Sequence, residues 1–182
     1  MNIYLETKRM ILRDFIPEDA DLLVDLDSDP MVMKFINGGK PTPKDYVVET
    51  VMPRLMSYYE NTDGLGLWAA LLKPDLEFMG WFLFRPFRAD PVQTELGYRF
   101  KQKYWSQGFA TEGSQALIKK GFEALGVTKV VAIADPGNLG STRVMEKVGL
   151  SFDGEHREPD GFVCVKYSLD KSGYQKNAKL SK

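Results

Sequence analysis

The stretch YWSQGFATEG, residues 104–113, stands between a predicted strand and a predicted helix. In it, Gly108 and the small Ala110 come just before the helix, whose first backbone N–H groups have no partner within the helix. These groups and the helix dipole attract an anion, and a glycine leaves the backbone open to it. Taken alone, the pattern is more often a tight turn that caps a helix than a phosphate site. The neighbouring sequence therefore has to decide between the two.

The sequence around this stretch predicts an α+β structure built in layers. Before it, a strand over Arg9–Phe15 precedes three helical segments, the last over Thr42–Asn61, where Pro53 should cause a kink or a break. An antiparallel meander follows, with strands over Leu67–Lys73, Phe78–Arg85 and Thr94–Phe100. After the stretch, helices and strands alternate over Thr111–Leu125, Thr128–Asp135, Ser141–Gly149 and Phe162–Leu169. We expect one domain over 1–170 and a polar, flexible tail over 171–182.

Composition excludes several classes of protein. The 182 residues have a net charge of −1, without the basic surface that nucleic-acid binding requires. Cys164 is the only cysteine and His156 the only histidine. The chain can therefore form neither an internal disulfide nor a Cys/His zinc cluster, and no metal site is expected. Its apolar runs are shorter than the ~20 residues that cross a bilayer, and its first residues lack the apolar core of a signal peptide. We expect a cytoplasmic protein that binds neither membrane nor nucleic acid.

A second motif follows the predicted strand that ends at Asp135. The segment DPGNLGSTRVMEKVGLSF, residues 135–152, has Asn138 and Ser141 at the spacing Asn-x-x-Ser, and its helix ends in Glu-Lys-x-Gly-Leu. Two other phosphate motifs are missing from the sequence. It has neither a G-x-x-x-x-G-K-[ST] loop nor a G-x-G-x-x-G fingerprint with an acidic residue ~20 positions later. A Walker loop and a dinucleotide site of the Rossmann type are therefore excluded.

Together, the two motifs resemble those of the GNAT acetyltransferase superfamily. Residues 105–110 match its pyrophosphate loop, and residues 138–150 match its Asn-x-x-Ser…Glu-Lys-x-Gly-Phe segment. The segment LETKRMILRDFIPEDADLL, residues 5–23, and the tryptophan Trp105 further resemble the branch that acetylates ribosomal-protein N-termini. The resemblance covers about residues 3–170. It implies a mixed, mostly antiparallel central sheet with a splayed parallel strand pair and helices on both faces.

The resemblance implies acetyl-CoA as the co-substrate, bound between the splayed strands. Its pyrophosphate would bind five backbone N–H groups, those of Gln107, Gly108, Phe109, Ala110 and Thr111. A bulge near Phe100 would free the Phe100 N–H to polarise the thioester carbonyl. Asn138 would bind the pantetheine arm, and Arg143 and Lys147 would bind CoA phosphates. Without the resemblance, Asn138 suits a turn, and the two cations suit a solvated helix face.

The same resemblance suggests two catalytic residues. An alkyl ammonium group has a pKa of ~10, so a base or a chain of water molecules has to remove a proton before the amine attacks. Glu95 is the candidate base; the alternative is a surface ion pair with Arg99, on the same face of the strand. Ser141 would return a proton to the CoA thiolate, and it equally suits a helix N-cap. Met145 stands where many relatives have a tyrosine as general acid, which leaves Ser141 or water for that step.

The sequence does not choose among a protein N-terminus, an amino acid, a polyamine and an aminoglycoside as the amine acceptor. Candidates for the acceptor pocket are Phe35, Tyr58, Trp68, Trp81, Arg85 and Tyr98, with the acidic residues Asp27, Asp29, Glu60 and Asp63. Two other functions stay open. One is an acyl-CoA-binding regulatory or interaction module that has lost catalysis, which Met145 favours slightly; the other is a nucleotide-phosphate binder. Relatives often dimerise, so the resemblance also allows a homodimer.

Overall fold

The computed structural model describes residues 1–61 and 64–180, which form an eight-stranded sheet with helices around it. The strands are β1 (Ile3–Glu6), β2 (Met10–Asp14), β3 (Gly66–Leu72), β4 (Glu77–Phe87), β5 (Asp90–Phe100), β6 (Lys129–Ala134), β7 (Ser151–Arg157) and β8 (Val163–Asp170). The helices are α1 (Ala20–Ser28), α2 (Pro30–Asn37), α3 (Lys44–Tyr46), α4 (Met52–Asn61), α5 (Phe109–Ala124), α6 (Leu139–Lys147) and α7 (Lys171–Leu180). The edge strands β1 and β7 were not predicted from the sequence.

The strands lie in the order β1-β2-β3-β4-β5-β6-β8-β7. Neighbours are antiparallel except for β5 and β6, which are parallel. The strands β3, β4 and β5 follow one another in sequence and in space, because short turns join antiparallel strands. The predicted meander and the mixed, mostly antiparallel sheet are therefore confirmed.

The parallel pair β5–β6 separates towards the ends of its strands. The two strands pair only where Thr94 meets Val130 and Glu95 meets Val131. Beyond these pairs β5 stays hydrogen-bonded to β4 as far as Phe100, and β6 stays paired with β8 as far as Ala134. Each strand therefore follows its outer neighbour, and a gap opens between them inside the sheet. This gap is the splayed pair that the resemblance predicted.

Helices cover both faces of the sheet. Successive residues of a strand point to opposite faces, and β3 shows the division. Trp68 and Ala70 belong to a core that includes buried residues of α5 and α6. Ala69 and Leu71 belong to a second core, with buried residues of α1, α2 and α4. The sheet is thus the middle layer of three.

Two glycines allow α5 to pack directly on the sheet. A Cβ atom at Gly113 would lie 2.2 Å from the ring of Phe82, and one at Gly121 would lie 2.7 Å from the ring of Phe84. Real Cβ atoms do not approach this closely, so any side chain at these positions would push α5 away from β4. Glycine weakens a helix by about 1 kcal/mol relative to alanine, and close packing on the sheet compensates for that loss here.

The predicted helix over 42–61 passes Pro53 without ending. Proline has no N–H group, and its ring crowds the carbonyl of the fourth residue before it. The chain widens into a π-helical turn, Val47–Val51, immediately before Met52, whose N–H donates to the carbonyl of Val47. The disturbance predicted at Pro53 therefore takes the form of this turn, and a split of the helix was the wrong alternative.

The segment after residue 170 begins with helix α7, which was not predicted from the sequence. Asp170 accepts a hydrogen bond of 2.7 Å from the N–H of Gly173, which satisfies a donor at the start of the helix. The ring of Tyr174 packs against Phe122, with centroids 5.0 Å apart. The hydroxyl of Tyr174 also donates to Glu123 of α5 at 2.8 Å, so polar and aromatic contacts hold the start of α7. None of the described helices is both long and apolar enough to cross a membrane.

Candidate active site

A cavity of about 530 Å³ lies where β5 and β6 separate. Its walls come from the end of β5, the loop before α5, the first turns of α5 and α6, and one side of α2. Among the residues predicted for the site, the lining includes Phe100, Gly108, Phe109, Ala110, Thr111, Asn138, Ser141, Arg143 and Lys147. Gln107 and Glu95 do not belong to the lining. Two motifs that are distant in sequence therefore meet at one cavity.

Residues on both faces of the sheet line the cavity. Tyr98 and Arg99 are consecutive residues of β5, so their side chains point to opposite faces, yet both line the cavity. The hydroxyl of Tyr98 contacts Ser141 of α6 on one face. On the other face, Arg99 forms an ion pair of 2.6 Å with Asp27 of α1. Groups from both faces of the sheet therefore meet at the gap.

The loop before α5 presents the free start of that helix to the cavity. Gly108 is the residue before the first helical position and has the left-handed φ of 81° that glycine adopts without strain. Among the described residues, no side chain forms a capping hydrogen bond at this end of α5. The first N–H groups of the helix are thus left for a ligand. A Cβ at Gly108 would meet only Arg9, at 3.5 Å, so the space above the loop is open.

Arg9, immediately before β2, holds this loop in place, and the sequence patterns did not indicate this contact. Its Nε donates to Glu112 Oε2 at 2.6 Å, and its Nη1 donates to the carbonyl of Gln107 at 2.9 Å. Its guanidinium also lies over the ring of Phe109, 4.2 Å from the centroid. Burial alone would raise the pKa of Glu112, but hydrogen bonds from Thr7 and Arg9 lower it overall. The acid is therefore ionised and holds Arg9 beside the loop.

The bulge predicted near Phe100 is not in β5, whose pairing with β4 is continuous from Thr94 to Phe100. The gap comes instead from the divergence of β5 and β6. The N–H of Lys101 donates to the carbonyl of Met79 in β4 at 2.9 Å. Because hydrogen-bonded and free positions alternate in an antiparallel pair, the N–H of Phe100 points away from β4, towards the gap. The Trp105 indole donates to the Phe100 carbonyl at 2.7 Å and fastens the loop to the strand.

The start of α6 carries the second motif. The side-chain oxygen of Asn138 accepts from the N–H of Ser141 at 3.1 Å, so Asn138 is the residue that caps the helix. The Ser141 hydroxyl is 3.2 Å from the hydroxyl of Tyr98. Burial raises the pKa of Tyr98 to about 12, although its hydrogen bond with Ser141 acts in the opposite direction. Arg143 and Lys147 are four residues apart, on the same side of α6, and both are exposed at the cavity.

Glu95 lies outside the cavity, in an ion pair. Its carboxylate oxygen Oε2 accepts from Arg85 Nε at 3.0 Å, directly across the β4–β5 pair, and both side chains are more than four-fifths buried. Burial opposes the charge of Arg85, but Glu95 and a hydrogen bond to Tyr58 raise its pKa overall. The predicted alternative partner, Arg99, binds Asp27 instead. A base role for Glu95 would require this pair to separate.

The other acceptor-pocket candidates are divided between cavity and core. Phe35 lines the cavity, whereas Trp68 is 2% exposed and stacks on Tyr4. Trp81 lies beneath the guanidinium of Arg99, 5.0 Å from it. Asp29 caps α2 through the N–H of Met31 and accepts from Gln102. Glu60 is exposed, and Asp63 lies outside the described residues.

Comparison with known proteins identifies the family. Residues 9–151 match the family model described as "Acetyltransferase (GNAT) domain". An FsC-acetyl coenzyme A-N(2)-transacetylase from Aspergillus fumigatus is 33% identical over 156 residues, which are 81% of this chain. The aligned region spans 64% of the length of that fungal relative. The chain therefore belongs to the GNAT family of acetyltransferases, and it is an enzyme of that class.

Solved structures agree with the fold. A GNAT-family acetyltransferase from Bacillus anthracis has a TM-score of 0.78 and 25% identity, covering 94% of this chain and 99% of that one. A ribosomal-protein-S5-alanine acetyltransferase from Vibrio fischeri has a TM-score of 0.69 and 15% identity, with coverage of 92% and 96%. The resemblance that the motifs suggested is confirmed, and the fold is shared with an enzyme of the ribosomal-protein branch.

Proposed function

We propose that this protein is an acetyl-CoA-dependent N-acetyltransferase that transfers the acetyl group to a primary amine by direct attack in a ternary complex. The amine belongs to a protein N-terminus or to a small molecule. The observation that carries the proposal is the cavity between β5 and β6, which residues on both faces of the sheet line. On one face of the sheet lies the uncapped start of α5. On the other face lie the ion pair of Arg99 with Asp27 and the ring of Trp81.

The residues present fit acetyl-CoA. The pyrophosphate would bind the backbone N–H groups of Gly108 to Thr111, with the nearby cations Arg143 and Lys147 available for CoA phosphates. Gln107 does not line the cavity, and its carbonyl accepts a hydrogen bond from Arg9. The NH₂ group of Asn138 would donate to the pantetheine arm, because the oxygen of the same side chain serves as the helix cap.

The reaction would take place in the gap of the sheet. The Phe100 N–H points into the gap and would donate to the thioester oxygen, where negative charge develops as the amine attacks. Losing one such donor costs about 3 kcal/mol of transition-state stabilisation in known enzymes. Ser141 lies on the cavity wall beside this position and would give a proton to the sulfur as the carbon–sulfur bond breaks.

In this proposal, water removes the proton from the amine. The carboxylate of Glu95 is bound to Arg85 outside the cavity, so it offers no free base at the gap. A chain of water molecules through the opening on the α1 and α2 side would remove the proton. The Glu95→Gln variant tests this directly.

We expect Glu95→Gln to keep kcat within about threefold of the wild type, whereas losing a general base typically costs on the order of 10²–10⁴-fold. Glu123→Gln is a matched control, because Glu123 pairs with Lys119 on the exposed side of α5, outside the cavity. A kcat that falls a hundredfold in Glu95→Gln alone, with acetyl-CoA affinity unchanged, would make Glu95 the base.

The acceptor is identified by a screen for CoA thiol release with amino acids, polyamines, aminoglycosides and peptides that have free N-termini. Turnover with at least one class, first order in enzyme, supports the proposal. Acetyl-CoA binding without turnover across the whole panel would instead support the acyl-CoA-binding module. ATP binding that acetyl-CoA does not displace would support the nucleotide-phosphate binder.

A further inference from the structure

The hydroxyl of Tyr98 lies beside Ser141 at the wall of the cavity. Its oxygen is 3.2 Å from Ser141 Oγ, and either of these atoms can donate. The same hydroxyl is 3.1 Å from the backbone carbonyl of Ser141, to which it donates. A rotation of the tyrosine O–H bond is therefore enough to move its proton from one acceptor of Ser141 to the other.

Met145 has no proton to give, and its side chain is 2% exposed within the core. The position that holds a tyrosine acid in many relatives is thus closed to the cavity. Tyr98 reaches the cavity from the other wall, because it stands on β5 and points across the gap to α6. The structure therefore holds a tyrosine hydroxyl next to Ser141, but on a different element from the one that the sequence pattern suggests.

We propose that Tyr98 and Ser141 form a proton relay that protonates the CoA sulfur as it leaves, an inference that rests on the proposed function. As the amine nitrogen bonds to the carbonyl carbon, the carbon–sulfur bond breaks and its electron pair stays on sulfur. Ser141 Oγ gives its proton to sulfur while Tyr98 gives its proton to Ser141. The proton that the amine loses returns to Tyr98 through water, so the two hydroxyls are restored.

The relay explains how a serine acts as an acid here. A lone serine would become an alkoxide, which is a stronger base than the thiolate it protonates. A phenol is a stronger acid than an aliphatic alcohol, so a proton from Tyr98 avoids that intermediate.

The test compares Tyr98→Phe, Ser141→Ala and the double variant, with the panel amine that the wild type acetylates fastest. Tyr98→Phe keeps the ring, including its edge contact with Phe82 at 6.2 Å, and removes only the hydroxyl. Tyr174→Phe is the matched control, since that hydroxyl binds Glu123 at the surface, outside the cavity. Each variant is measured for kcat, for acetyl-CoA affinity and for the dependence of kcat on the deuterium fraction of the solvent.

We expect Tyr98→Phe to lower kcat by about 10-fold or more, with acetyl-CoA affinity within about twofold of the wild type. The wild type should show a curved dependence on deuterium fraction, because two protons move together, and Tyr98→Phe should show a linear one. The double variant should be no slower than the slower single variant, because both changes interrupt one relay.

Three results would overturn the relay. One is a Tyr98→Phe kcat within about twofold of the wild type. Another is an equal loss of acetyl-CoA affinity and of kcat, which would assign Tyr98 to binding or to packing. The third is an unchanged deuterium dependence. A wild-type protein that binds acetyl-CoA and acetylates no amine would overturn the proposed function, and the relay with it. A wild-type protein that acetylates an amine but gives one of the three results above would overturn the relay alone.

Discussion

We predict that the packing of α5 on β4 positions the loop proposed to bind acetyl-CoA, and Gly113→Ala tests this prediction. The new Cβ would lie 2.2, 2.4 and 2.9 Å from three atoms of the Phe82 ring. Phe82 is 0% exposed and meets the ring of Phe100 edge-on at 5.2 Å, so it has no room to turn away. Normal contact near 3.5 Å therefore requires α5 to move by roughly 1 Å.

The expected cost follows from two opposing effects. Overpacking of a core costs about 1–3 kcal/mol, and replacing a helical glycine by alanine returns up to about 1 kcal/mol. Gly113→Ala should therefore lower the free energy of unfolding by about 1–2 kcal/mol. The same displacement moves the first N–H groups of α5, so acetyl-CoA affinity should fall by about 10-fold, which corresponds to about 1.4 kcal/mol.

The assays are urea unfolding, for the free energy of unfolding, and calorimetric titration with acetyl-CoA, for affinity. Gly173→Ala in α7 is the control: its new Cβ would meet a terminal methyl of Leu169 at 3.2 Å, which can rotate away. The control should leave acetyl-CoA affinity unchanged and should not lower the free energy of unfolding, since alanine is the better helix former. A Gly113→Ala protein as stable as the wild type, with unaltered acetyl-CoA affinity, would refute the claim that this contact positions the site.

The remaining predictions concern the contact between β2 and the loop. Arg9→Ala should weaken acetyl-CoA binding by about 3–10-fold, since the loop loses two hydrogen bonds and the stacking on Phe109. Arg9→Lys should recover only part of the affinity, because an ammonium cannot make the paired contacts; full recovery by lysine would show that charge alone matters. The pKa of Glu112 is lowered in the folded protein, so its stabilising effect is complete above the ordinary pKa of 4.5 and is lost as the pH falls further. Glu112→Gln should therefore flatten the fall in the urea midpoint between about pH 5 and about pH 3, and an unchanged slope would contradict this.

Local patterns in the sequence predicted most of the elements and suggested an anionic ligand. The periodicity of apolar residues predicted the meander, the buried strand β6 and the helices α5 and α6, because the pattern of apolar residues shows which side of an element is buried. The glycine before α5 indicated an anion site, since only glycine takes that backbone conformation freely. Residues 104–113 and 138–141 follow β5 and β6 in sequence, and the resemblance placed both at one cofactor site.

Contacts between distant residues were beyond those patterns. Arg9 and Glu112 are separated by 103 positions and Tyr98 and Ser141 by 43, so no local spacing indicates either pair. Glu95 and Arg99 do not pair with each other. The strand register places Arg85 opposite Glu95, and the position of α1 brings Asp27 to Arg99. Composition and periodicity record which residues are buried, whereas the meeting of two side chains depends on how whole elements pack. The sequence by itself therefore determined the family and suggested which loop binds the co-substrate, and only the tertiary structure decided which charges pair and which hydroxyl lies beside Ser141.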